Sequence, residues 1–193
     1  MNERTIHNPV SGETATWIES STESGGARTV IDFEVTPGGG VTGHRHTNHR
    51  EQIAVLEGEI EVTCGGTTRR YGAGEVAVIE PRAVHHWRNP GQGVLRFRGT
   101  MTPGHPGFET FLRVWFGLAR DGALRRSGLP RRVADMALLV DWDPSIAAGP
   151  LRLMAPLLRR AARRPSARAR AGELLRRYDA LPLGPGEAGT TSL

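Results

Sequence analysis

Gly38 to Gly58 reads GGGVTGHRHTNHREQIAVLEG, and the rest of the chain is best understood from this stretch. Two histidines, His44 and His46, stand two apart, and Glu51 follows five residues after the second. Successive side chains of a strand point to opposite faces, so His44 and His46 share one. Thr47–Arg50 is long enough to turn the chain and set Glu51 at the head of the next strand. Two imidazoles and a carboxylate, all able to hold a metal, then converge from one hairpin.

A second stretch, Gly74 to Asn89 (GEVAVIEPRAVHHWRN), offers His85 and His86 on a later strand, of which one can face the same interior. His85 shares its face with Trp87 and Asn89, whereas His86 shares its face with Arg88, whose charge belongs in water. Parity favours His85 as the fourth ligand.

Outward from these stretches, the chain between Arg28 and Met101 alternates short β-branched and apolar runs with Gly and Pro, the pattern of an all-β barrel or sandwich. Strands are predicted at Thr5–Val10, Thr14–Glu19, Val30–Val35, Val41–His46, Gln52–Leu56, Glu59–Thr63, Val76–Ile79, Val84–Arg88 and Val94–Thr102. Glu57-Gly58-Glu59 and Cys64-Gly65-Gly66 supply turns. Alternation places Ile53, Val55, Ile60, Val62, Trp87 and Phe97 on the interior, as the apolar wall of a substrate pocket.

After Pro103-Gly104-His105-Pro106-Gly107 the spacing becomes helical: Phe108, Phe111, Leu112, Trp115, Phe116 and Ala119 recur at three and four residues. This aromatic stripe has to pack against the barrel or a partner subunit. Further helices are expected over Pro130–Val140 and over Leu151–Arg164, the second kinked or restarted at Pro156. From Pro165 onward Arg, Ala, Gly and Pro dominate, and disorder is the expectation. The domain reading is a barrel over 1–104, a helical extension over 105–164 and a tail over 165–193.

A chain of 193 residues suits one well-packed domain with an appendage. Met1–Val10 is polar and carries both charge signs, unlike a secretory signal, and no apolar run approaches the roughly 18 residues of a membrane span. A cytoplasmic protein is expected. Cys64 is the one cysteine, which excludes a disulfide framework and leaves any metal to nitrogen and oxygen ligands. All 25 basic residues are Arg. Residues 1–104 hold 10 Arg against 12 acidic residues, a net of −2, while 105–193 hold 15 against 8, a net of +7. Leu151–Arg164 could therefore meet a membrane surface or nucleic acid, although Pro156 and the lack of interleaved aromatics favour a solvated face.

Gly38, His44, His46, Glu51 and Gly58 fit G-x5-H-x-H-x4-E-x6-G, the first motif of the cupin superfamily, at every fixed position. The chain resembles that superfamily over roughly residues 28–102. The second motif, G-x5-P-x-G-x2-H-x3-N, is met by Gly74, His85 and Asn89, while Glu80 stands at its proline position and Arg82 at its glycine position. Pro81 lies one place late, and an alignment anchored on it would make His86 the ligand. The resemblance implies a mostly β fold, a single jelly-roll-like cupin β-barrel followed by a C-terminal α-helical extension. It implies one divalent ion (Fe, Mn, Ni, Zn, Co or Cu) held by His44, His46, Glu51 and His85, and a homodimer.

Such an ion suits an enzyme of the oxygenase or the isomerase and cyclase kind, acting on a small enolisable, aromatic or polyketide-like substrate. A metal- or small-molecule-binding sensor or store is the alternative. Lewis-acid chemistry needs a base other than Glu51, and His49, Glu80 and His105 are the candidates. Of these, His49 is expected to sit exposed in its turn.

Overall fold

The computed structural model describes residues 4–143 and 151–179. Six strands form one antiparallel sheet in the order β1 (Thr5–Asn8), β2 (Glu13–Glu19), β3 (Thr29–Val35), β10 (Leu95–Thr102), β5 (Arg50–Glu57), β8 (Val76–Ile79). Four more form the second sheet in the order β4 (Gly40–His44), β9 (His85–Arg88), β6 (Glu59–Cys64), β7 (Thr67–Gly72). Alternation explains the arrangement. On β3, Ile31, Phe33 and Val35 are buried while Asp32 and Glu34 reach water, and Phe33 stands opposite Phe97 of β10. Ile53 of β5 and Ile60 of β6 meet these residues in one core between the sheets. Among the described residues no strand pairing joins the two sheets, so the expected barrel is a jelly-roll sandwich.

The sequence does not predict β7, because TTRRYG carries no apolar alternation. It is an edge strand, largely exposed, whose Arg70 pairs with Glu59 and Glu61 of β6.

Helix α1 (Pro106–Arg120) covers the predicted aromatic stripe. Its start is set by Pro106 in the first turn and by His105 as the cap, with the Phe108 amide donating to His105 Nδ1 at 2.8 Å. Phe108, Leu112 and Phe116 enter the sandwich core, so the stripe expected to need the barrel or a partner is covered by this chain's own strands. The opposite face of α1, with Val114 and Leu118, nucleates a second apolar cluster with α2 (Val133–Trp142), α3 (Leu151–Ala162) and α4 (Pro165–Leu174). Glu109, 3% exposed, fixes the helix to the strands: the Ser21 amide and the Thr29 hydroxyl each donate to its Oε1 at 2.6 Å.

Two boundaries differ from expectation. Helix α2 begins at Val133 because Pro130 is occupied in an isolated bridge with Leu124, and α3 continues through Pro156. On α3, Ala155, Leu158 and Ala162 are buried while Leu153, Met154 and Leu157 face outward. The tail expected to be disordered is helical from Pro165 to Asp179, ending in a π-helical turn at Leu175–Asp179. Its arginine-rich composition conceals a short apolar series, Ala167, Ala171, Leu174 and Tyr178, that packs into the second cluster. Gly117 leaves room for Tyr178, whose ring a Cβ there would meet at 2.3 Å. Arg170 donates to both oxygens of the buried Asp135, at 2.8 and 3.2 Å. The expectation for Leu183–Leu193 falls outside the described residues. No helix among them is long and apolar enough to cross a membrane.

Candidate metal centre and its cavity

His44 and His85 are register partners on β4 and β9, and Glu51 reaches them from β5 in the other sheet. The centre therefore bridges the sandwich. His46 arrives differently from the strand pairing expected for it: β4 ends at His44 after a register shift that begins at Val41, and His46 comes round in the turn beyond. One ligand atom from each of His44, His46, Glu51 and His85 lies within 4.8 Å of the others. His86, the alternative fourth ligand, is exposed and paired in register with Thr63. On β9, alternation turns His85 inward to the cluster and His86 out to solvent.

Backbone carbonyls orient two of the rings. The His44 Nδ1–H donates to Thr42 O at 3.0 Å and the His85 Nδ1–H to Ala83 O at 3.0 Å, which turns both Nε2 atoms toward the centre. Glu51 Oε2 accepts from His46 Nε2 at 3.1 Å and from His85 Nε2 at 3.2 Å. Burial alone would raise the Glu51 pKa, yet these two hydrogen bonds and the charge behind them hold it well below the ordinary carboxylate range. His85 is disfavoured as a cation by burial, but its bond to Glu51 outweighs this and raises its pKa. Burial, reinforced by His85 and His46, lowers His44 to about 4, so its Nε2 is an open lone pair near neutral pH. Three imidazole nitrogens and one ionised carboxylate, two of the rings oriented by backbone carbonyls, fit a divalent first-row metal.

The local backbone matches this role. Gly38 and Gly58, which bound the first stretch, have φ of 75° and 79°, values that glycine adopts without strain. Arg82 has φ 70° at the place where the second motif carries glycine, and its amide donates to His46 O at 2.6 Å. The turn that steadies His46 thus keeps a glycine conformation with an arginine in it.

The three nominated bases fare less well. His49 is not exposed: its side chain is 0% accessible, neither ring nitrogen has a hydrogen-bond partner, and its ring lies 4.2 Å from that of His46. The turn folds inward beneath α1, with Phe108 at 6.1 Å. Burial, followed by the neighbouring His46, lowers His49 to about 3. Glu80 is exposed and paired with Arg50. His105 has its Nδ1 committed to the cap of α1.

A cavity of about 370 Å³ opens on His44, His46 and Glu51. Of the six residues expected on its wall, Trp87 and Phe97 are there, whereas Ile53, Val55, Ile60 and Val62 are packed into the sandwich core away from it. The sheets close on each other at their level, and the open volume lies where the helices come over the strands. Sequence reading missed that helical wall, which includes Phe111, Trp115, Met136, Leu139 and the loop Arg126–Pro130. Trp115 Nε1 donates to Gly128 O at 2.9 Å and ties the loop to α1. The signal was present in the aromatic stripe, whose Phe108, Phe111 and Trp115 line the cavity as well as pack.

Residues 31–102 match the family described as the cupin domain. They are a cupin unit. All four candidate ligands lie inside it, and the helices from Pro106 on lie beyond it. Similar solved structures include an RmlC-like cupin from Shewanella frigidimarina, 20% identical with a TM-score of 0.48, covering 56% of this chain and 92% of that one. KdgF from Halomonas sp. is 18% identical with a TM-score of 0.46, covering 50% of this chain and 84% of that one. A predicted oxalate decarboxylase from Thermotoga maritima is 23% identical with a TM-score of 0.45, covering 47% and 80%. No curated protein sequence matches the chain.

Proposed function

We propose that this cupin is a metal-dependent enzyme that holds one divalent ion through His44, His46, Glu51 and His85 and acts on a small organic molecule bound to it. The observation that carries the reading is the convergence of four ligand atoms within 4.8 Å, three of whose residues, His44, His46 and Glu51, line a 370 Å³ cavity. A divalent ion there supplies either activation of dioxygen or Lewis acidity toward enolate, diketo, catechol or carboxylate oxygens. Glu51 contributes one negative charge, so the ligand set leaves the centre positive and attractive to oxygen anions. Trp87, Phe97 and Phe108 line the space with aromatic surface, keep water from the substrate and favour a flat, largely apolar body.

Neither His49 nor Glu80 nor His105 lines the cavity, so the isomerase and cyclase branch lacks each base nominated for it. The four candidate ligands serve the dioxygenase-type and the Lewis-acid branch alike, and dioxygen consumption distinguishes them. Oxygen uptake by the iron-loaded protein, screened against enolic and catecholic compounds, tests this. Catalytic uptake that disappears in His46→Ala supports the enzyme reading. Conversion without oxygen uptake points to the Lewis-acid branch, and stoichiometric binding without turnover across the screen points to a sensor or store.

A further inference from the structure

Glu13 and Ser11 line the same cavity as the candidate metal ligands, yet the proposed chemistry gives them no task. Glu13 opens β2 and is 2% exposed. Its Oε2 has no hydrogen-bond partner, and neither has the Ser11 hydroxyl beside it. A buried carboxyl oxygen left without a donor is costly, and such an atom persists where something else satisfies it. We propose that Glu13 and Ser11 form a polar subsite, remote from the metal, that receives a hydroxyl or ammonium group at the far end of the substrate.

The position of the pair gives the length of that substrate. A Cβ on Gly39 would come within 2.9 Å of Ser11 O, which sets the pair beside the start of β4, and Gly40, Val41 and Thr42 continue the cavity wall toward His44. Gly40 and His44 stand opposite Arg88 and His85, three residue steps of β9 apart because of the register shift after Val41, so the wall runs roughly 10 Å. Between the two ends the wall is aromatic: Phe33 stacks on Phe97 at 5.0 Å, and Trp87 meets Phe97 edge-on at 5.0 Å. The substrate class is therefore an elongated molecule with a metal-chelating oxygen pair at one end, an apolar or aromatic middle, and a hydrogen-bond donor at the other. An acidic far end is disfavoured by Glu13 itself. Burial raises Glu13 to about 7, so the group can meet either a neutral hydroxyl or a cation near neutral pH.

This inference rests on the metal reading, and its test separates the two. The full chain is loaded with cobalt and titrated with α-hydroxy acids whose tails, of increasing length, end in methyl, hydroxyl or ammonium; binding is read from the cobalt visible spectrum. At one tail length the hydroxyl- and ammonium-ended acids bind about tenfold or more tighter than the methyl-ended one. Glu13→Gln keeps the hydroxyl preference, loses the ammonium preference and retains full cobalt. Ser11→Ala weakens the hydroxyl preference. Bound cobalt with no end-group preference at any length overturns the subsite alone, as does an undiminished ammonium preference in Glu13→Gln. A wild-type chain that takes up no cobalt overturns the metal reading and the subsite with it.

Discussion

The cupin unit and the helices after it solve the problem of staying folded in different ways. Between the sheets, residues such as Ile31, Ile53, Ile60 and Leu95 are fully buried, and the alternation of each strand makes the interior nearly all apolar. Around α1 to α4 the cluster is smaller and is fastened by charge: Arg170 to Asp135, and Arg113 to both Glu109 and Asp179. Phe111 and Trp115 pack against both clusters and also line the cavity. The cupin unit holds all four candidate ligands, while the helices add a second side to a cavity wall that the strands begin, so the proposed metal site and the helical part of that wall lie in separate stretches of chain.

That division can be broken from the helical side. Leu174→Ala removes a side chain 1% exposed at the centre of the second cluster and should cost about 2–5 kcal/mol in denaturant unfolding. Metal content should stay at the wild-type level. Parallel loss of metal would mean that the two regions form one cooperative unit instead.

A smaller effect, on the strand side, follows from Glu13. Its pKa rises from 4.5 to about 7 on folding, so the folded chain holds the proton after the unfolded chain has released it. Stability from this group is complete below pH 4.5 and is lost as pH rises through about 7, a fall of roughly 3 kcal/mol. Subtracting the Glu13→Gln stability profile from that of wild type isolates it. A flat difference across this window would show that Glu13 is not desolvated.

The smallest change sharpens the cupin side. Arg82→Gly relieves a left-handed residue at the turn whose amide holds His46 O, and should stabilise the protein by about 1 kcal/mol or less. Destabilisation would mean that the arginine side chain holds the turn.

What was legible in the sequence follows the same divide. His44, Glu51 and His85 could be placed because strand alternation is a local rule, and His46 was found although it reaches the centre from a turn and not from β4. His49 was misplaced because nothing in its turn announces that α1 will cover it. β7 was lost because an exposed edge strand needs no apolar face, and the final helix because four apolar residues were hidden among arginines. The helical wall of the cavity escaped for a further reason: periodicity reveals that a helix has an apolar face, but not which surface that face will cover.

The central claim is the identity of the four ligands. Elemental analysis of anaerobically purified protein, for wild type and for His44→Ala, His46→Ala, His85→Ala and His86→Ala, tests it most directly. One divalent ion per chain is predicted for wild type and His86→Ala, with loss in the other three. Full occupancy in His85→Ala together with loss in His86→Ala would contradict it.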